Sequence, residues 1–150
     1  MTTVLEQPAD LLDLVGQSLG TTEWIKVTQQ QVDLFANATG DRQWIHTDAE
    51  RAAKGPFKGT IAHGYLTLSL TPAVIAQVLE IREVTAALNY GLNRVRFPAP
   101  LRVGSQVRAA VTVASAHQKT SGVESVFKLT YEIDGETRPA CVADVIVLYP

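Results

Sequence analysis

The sequence predicts an α+β fold in which a curved antiparallel five-stranded sheet wraps around one long central helix. Three observations carry this. Residues 61–81 are apolar on nearly every helical face, the mark of a buried helix. After residue 83 the pattern changes to period two, and four alternating runs follow one another. Between the last two runs stands Asp134-Gly135, the strongest short-range hairpin signal.

Residues 1–20 read as a leader segment of a single domain spanning 1–150. Leu11, Leu12, Leu14 and Val15 recur at roughly helical spacing, so a short helix starting near Pro8 is expected, broken by Gly16 and Gly20. Residues 21–28 alternate and are rich in β-branched and aromatic side chains; they predict a strand with Trp24 or Ile25 facing a core. Thr28 is placed to cap a helix over 29–38, whose Val32, Phe35 and Ala36 share one apolar stripe. Gly40 follows as the usual residue past a helix end.

Residues 41–60 make a connection longer than compact domains normally carry, with a turn at Gly55-Pro56 and a short helix expected over 48–53. Connections of this length tend to be functional or disordered, and this one is too apolar for disorder. Pro72 interrupts the helical pattern of 61–81; one long element with a kink is favoured over two segments. The runs 87–95, 105–116, 122–133 and 138–148 then predict an antiparallel meander. A single helix leaves the other sheet face and at least one edge uncovered. A homodimer paired edge to edge is therefore expected.

The composition is globular, with 46% hydrophobic and 19% charged residues among 150. A net charge of −2 supplies no general electrostatic reason to expect nucleic acid as a partner. The single cysteine, Cys141, excludes an intrachain disulfide and a cysteine-rich zinc site, and fits a cytoplasmic location. The first residues lack the pattern of a secretory signal, and no apolar run reaches the length of a membrane span.

Chemistry-capable side chains concentrate between Asn37 and Leu70, which hold two of the three histidines. Asp41 and His46 would diverge on one helix but can converge in a loop. There they form a general acid/base pair for a water molecule. Taken singly, an aspartate after Thr-Gly is commonly a turn residue and a lone histidine commonly structural. Gly64 opens the apolar helix, where backbone N–H groups lack internal partners; its N–H is a candidate donor to a developing oxyanion, or the glycine merely serves close packing. His46 and His63 with Asp41 or Asp48 match no named metal-binding spacing, so no metal is expected. Ser69 lacks nucleophile-elbow glycines, Cys141 reads as a core residue and His117 as solvated. Arg94, Arg96 and Arg102 flank the turn at Phe97-Pro98 and are solvated or available to phosphates.

A-T-G-D-R-Q-W-I-H-T-D, followed by F-K-G-T-I-A-H-G-Y-L-T-L-S-L, resembles the MaoC-like dehydratase family, the (R)-specific enoyl-CoA hydratases of the hot-dog fold. Y-G-L-N-R-V-R-F-P-A-P-L-R-V-G-S is similar to that family's second signature, and the resemblance extends over residues 24–147. Gln43-Trp44 stands where the family usually has Asn-Pro. The resemblance implies that Asp41 and His46 hold and activate water and that Gly64 N–H receives the thioester oxygen. It implies a trans-2-enoyl-CoA substrate and an (R)-3-hydroxyacyl-CoA product, with no metal or redox cofactor, coenzyme A being part of the substrate. Trp44, Phe57 and Tyr65 are the expected lining of an acyl tunnel, and Arg94 and Arg96 the expected phosphate contacts. The alternatives are a 3-hydroxyacyl-ACP or -CoA dehydratase of fatty-acid synthesis, an acyl-CoA thioesterase on the same fold, and a non-catalytic acyl-thioester-binding subunit.

Overall fold

The computed structural model describes residues 1–150. Strand β1 (Thr3–Leu5), a 3₁₀ helix (Pro8–Leu14), β2 (Ser18–Thr21) and β3 (Ile25–Lys26) precede five helical segments. These are α1 (Gln29–Thr39), α2 (Trp44–Thr47), α3 (Ala49–Ala53) and α4 (Gly64–Ser69), continued by α5 (Thr71–Val78). Strands β4 (Leu79–Ile81), β5 (Leu88–Arg96), β6 (Gln106–Lys119), β7 (Gly122–Ile133) and β8 (Cys141–Tyr149) complete the chain.

Capping residues set α1 where the sequence places it. Thr28 Oγ1 accepts a hydrogen bond from Gln31 N, and Gly40 ends the helix at φ 85°, a conformation that glycine adopts without a Cβ clash. Val32 and Ala36 form its buried stripe.

The main sheet runs β2-β6-β7-β8-β5, with β3 also pairing β6, and every pair is antiparallel. It has six strands rather than five, because residues 21–28 are not one strand. Thr22 breaks the run by bonding Ala109 through both its main chain and its hydroxyl. Gly20, expected as a breaker, lies inside β2. Trp24 turns outward over Arg108, while Ile25 packs against the core. The meander is also corrected: β5 adds beside β8, not beside β6. A parallel pair, β1 with β4, ties the leader to the end of the central helix.

The central helix does not run straight: as expected it is one element with a kink, at Leu70, whose backbone stays helical at φ −73° and ψ −10° between α4 and α5. Pro72 has no N–H to donate, Leu70 N bonds Thr67 O in a tightened turn, and the Thr71 hydroxyl bonds both Leu68 O and the buried Tyr131 hydroxyl. Nor is it buried all round. Leu66, Thr67, Thr71, Val74 and Val78 are buried, while Tyr65, Pro72, Ala73 and Ala76 are exposed. The buried stripe meets alternate residues of the sheet, among them Val111, Val113, Phe127, Leu129, Ala143 and Val145, in one core cluster. This is the hot-dog arrangement of a sheet wrapped on a helix. It leaves the start of α4 beside the loop that follows α1.

Candidate active site

Three segments converge at that point. Asp41 sits one residue past the α1 cap, His46 on the one-turn helix α2, and His63-Gly64 at the entry to α4. The expectation that Asp41 and His46 share a loop is thus half right: a loop and a short helix bring them together. His46 Nε2 lies 3.9 Å from Asp41 Oδ2. An open recess of about 450 Å³, walled by Phe35, Tyr65 and Phe97, contains Asp41, His46, His63 and Gly64.

The protonation pattern at His46 follows from its partners. Its Nδ1 is 2.7 Å from the carbonyl oxygen of Ile61, which can only accept, so Nδ1–H donates. In the neutral ring Nε2 is then a bare acceptor facing a carboxylate, itself acceptor-only. Two acceptors 3.9 Å apart cannot bond directly, but one water can donate a hydrogen to each. With bonds of ~2.8 Å the water would subtend an angle of ~90°, close to its own geometry. Gln29 anchors the backbone of α2: its Nε2 donates to His46 O at 2.7 Å, while its Oε1 accepts from Thr60 Oγ1.

Burial is the largest influence on His46 and disfavours its cation. The Ile61 carbonyl and Asp41 oppose this, nearby His63 reinforces it, and the net effect is a pKa below the ordinary value. Neutral imidazole, the form able to take a proton, therefore prevails at pH 7. For Asp41, slight burial pushes upward, but the Gln43 hydrogen bonds and the two histidines outweigh it and hold the carboxyl below its ordinary value. Gln43, one of the two departures from the family pattern, thus tethers the carboxylate: its N and Nε2 reach Asp41 Oδ1 at 3.5 and 3.3 Å. Trp44, the other departure, occupies the first position of α2, where a proline's missing N–H would cost nothing.

Gly64 is the first residue of α4, so its N–H has no acceptor within the helix. A Cβ there would lie 3.1 Å from ring atoms of Phe97, so glycine lets the backbone and that ring meet. Of the expected binding residues, Tyr65 lines the recess and is 73% exposed. The others lie elsewhere. Trp44 packs on Gly55 under Arg51, and Arg94 and Arg96 line a separate groove with Lys128 and Asp144. Phe57 is half-buried on the connection outside the recess. Asp48 caps α3, the Ser69 hydroxyl bonds Leu66 O, and Cys141 is a buried core thiol pushed up to about 11 by burial.

Asp41, His46 and His63 each bring one possible ligand atom within 4.8 Å of the others. A tetrahedral zinc ion with bonds of 2.0–2.2 Å needs ligand atoms ~3.3 Å apart. His63 Nε2 is meanwhile engaged at 2.9 Å by the main-chain oxygen of Asp41. The geometry suits a water better than a metal. The Ile61 carbonyl, Gln29 and Phe97 are members of the site that the sequence did not single out, and His63, weighed there only as a metal ligand, joins them. The adjacency of His63 to Gly64 was the one available signal; a carbonyl from 15 residues away leaves none.

Comparison with known proteins adds to this geometry. The family model described as "MaoC like domain" matches residues 10–135. The chain is 49% identical over 145 residues to the Mycobacterium tuberculosis protein named 3-hydroxyacyl-thioester dehydratase Z, covering 96% of each. It is 47% identical over 143 residues to Nodulation protein N of Rhizobium leguminosarum, covering 93% of this chain and 89% of that one. Among solved structures, the R-hydratase PhaJ1 of Pseudomonas aeruginosa superposes with a TM-score of 0.69 at 26% identity. That match covers 91% of this chain and 81% of the other.

Proposed function

Because the chain belongs to the MaoC-like dehydratase family, we propose that it is a hydro-lyase of acyl thioesters, specifically an (R)-specific enoyl-CoA hydratase. It would add water reversibly to trans-2-enoyl-CoA to give (R)-3-hydroxyacyl-CoA. The observation that carries this reading is the pair of facing acceptors, His46 Nε2 and Asp41 Oδ2, 3.9 Å apart in one recess with Gly64.

The chemistry follows from charge flow. The thioester carbonyl makes C3 of the enoyl group electrophilic. The water held between Asp41 and His46 adds its oxygen to C3 as His46 Nε2 takes one of its protons. The C2=C3 electron pair moves toward the carbonyl, and Gly64 N–H stabilises the enolate oxygen, a contact worth about 2.7–4 kcal/mol in comparable sites. The proton then passes to C2, leaving hydroxyl on C3 and restoring the pair. Run backward, the same steps eliminate water, so relatives named dehydratase and hydratase describe one kind of site. No electrons are exchanged with an outside acceptor, and the thioester supplies its own activation, so the reaction calls for no further cofactor.

The acting form is a homodimer paired through β5. That strand is an unpaired edge with Leu88, Tyr90 and Leu92 exposed. An unpaired edge carrying exposed apolar side chains is a ready template for pairing with a second copy.

The test is a chain-length series of trans-2-enoyl thioesters on coenzyme A and on acyl carrier protein. Loss of enoyl absorbance is followed and product configuration determined. Production of (R)-3-hydroxyacyl-CoA supports the reading; absence of turnover on either carrier, or an (S) product, refutes it.

A further inference from the structure

The Asp41 carboxylate is 41% exposed and stands on a loop, yet a water shared with His46 needs it held in place. Its own fastenings are local and long. Asp41 N reaches Thr39 Oγ1 at 3.4 Å, and the two Gln43 bonds to Oδ1 are no shorter than 3.3 Å. The one short bond comes from 22 residues away. His63 Nε2–H donates to the main-chain oxygen of Asp41 at 2.9 Å. The His63 ring, 3% exposed, also stacks on His46 with centroids 3.8 Å apart and planes at 24°. The Phe35 ring also lies against it, tilted by 55° with centroids 4.9 Å apart. Its Nδ1 has no partner, so no second hydrogen bond turns the ring.

We infer that His63 is a positioning residue: its Nε2–H locks the Asp41 loop at the distance that His46 requires, and its ring backs the His46 imidazole. Because His63 also precedes Gly64, one side chain ties the carboxylate loop to both the imidazole and the oxyanion donor. Its catalytic consequence rests on the water-adding function proposed above; the geometric lock does not.

The experiment separates bond from ring. His63→Phe keeps the stack and removes the donor. His63→Gln carries an amide nitrogen near the place of Nε2 and restores the donor without the ring. With enoyl-CoA, His63→Phe is expected to lower kcat by about 10²-fold, the usual effect of a misplacement of ~1 Å. KM should stay within about threefold, as for an interaction felt in the transition state. His63→Gln recovers most of kcat. Should His63→Phe not fold, His63→Asn replaces it, since its shorter amide cannot reach the Asp41 carbonyl.

A second readout does not depend on turnover. The NMR titration midpoint of His46 is compared with and without Asp41→Asn. Asp41→Asn lowers that midpoint in the otherwise native protein and in His63→Gln, and has a smaller effect in His63→Phe. An unchanged Asp41–His46 coupling in His63→Phe overturns the lock, as does wild-type kcat in that variant or an equal loss of kcat in both. Lost coupling in a protein that turns over no thioester keeps the lock and sinks the hydratase reading instead.

Discussion

Substituting His46 by asparagine separates the two jobs of that ring. Asparagine Nδ2 occupies nearly the place of imidazole Nδ1, so the donor to Ile61 O, 2.7 Å away in the native protein, is retained. Nothing replaces Nε2, and the shared water loses one of its two acceptors. A positioned proton-transfer group is worth about 10²- to 10⁴-fold in rate. That range corresponds to about 2.7–5.4 kcal/mol of barrier. Stability should barely change, with a melting temperature within about 4 °C of wild type, the shift equivalent to ~1 kcal/mol in a chain this long. His46→Leu loses the same base but also orphans the buried Ile61 carbonyl, at about 1–3 kcal/mol. It should melt about 2–12 °C lower. The assay is initial-rate loss of enoyl absorbance with crotonyl-CoA, alongside thermal melts of both variants. If His46→Asn keeps more than about a tenth of wild-type kcat/KM, His46 is not a proton-transfer group and the shared-water geometry is wrong.

The pH profile follows from the depressed pKa of His46. Its working form is neutral, so kcat/KM should be flat just above the ordinary histidine value of 6.5 and fall as pH drops through the lower folded value. Stability changes in the same window. Between the folded value and 6.5 the unfolded chain binds more protons, so stability rises with pH there and is lost on acidification. An acid limb centred above 6.5 would contradict the burial argument. Gly64→Ala places a methyl group 3.1 Å from the Phe97 ring and should cost about 10- to 10²-fold in kcat by displacing the N–H donor. Adding Phe97→Leu should recover part of that loss, and a Gly64→Ala enzyme with native kcat would remove Gly64 from the mechanism. Replacing both Leu88 and Tyr90 with glutamate puts charge on the free edge of β5 and should convert a dimer to monomer in sedimentation velocity. An unaltered sedimentation coefficient would place the interface elsewhere.

Much of this fold is written locally. Thr28 and Gly40 bracket α1 because cap chemistry acts within a few residues. β7 spans Gly122–Ile133 as its alternation predicts, since period two depends only on which face each side chain meets. Asp41, His46 and Gly64 are each weak signals taken singly; the joint spacing of the motifs around them, which resembles the family, is what groups them in the sequence. What the sequence leaves open depends on contacts between distant segments. The kink at Leu70 is stabilised by Tyr131, 60 residues beyond Thr71. β5 could have joined β6 as readily as β8, because the alternation on a strand does not name its neighbour. β1 pairs with β4 through backbone groups common to every residue. At the active site, the Ile61 carbonyl decides which nitrogen of His46 is basic, and His63 decides where the Asp41 loop rests. The sequence alone determines which groups are available for the chemistry. Their orientation and protonation are decided by tertiary structure, because backbone carbonyls and ring stacking carry no residue signature of their own.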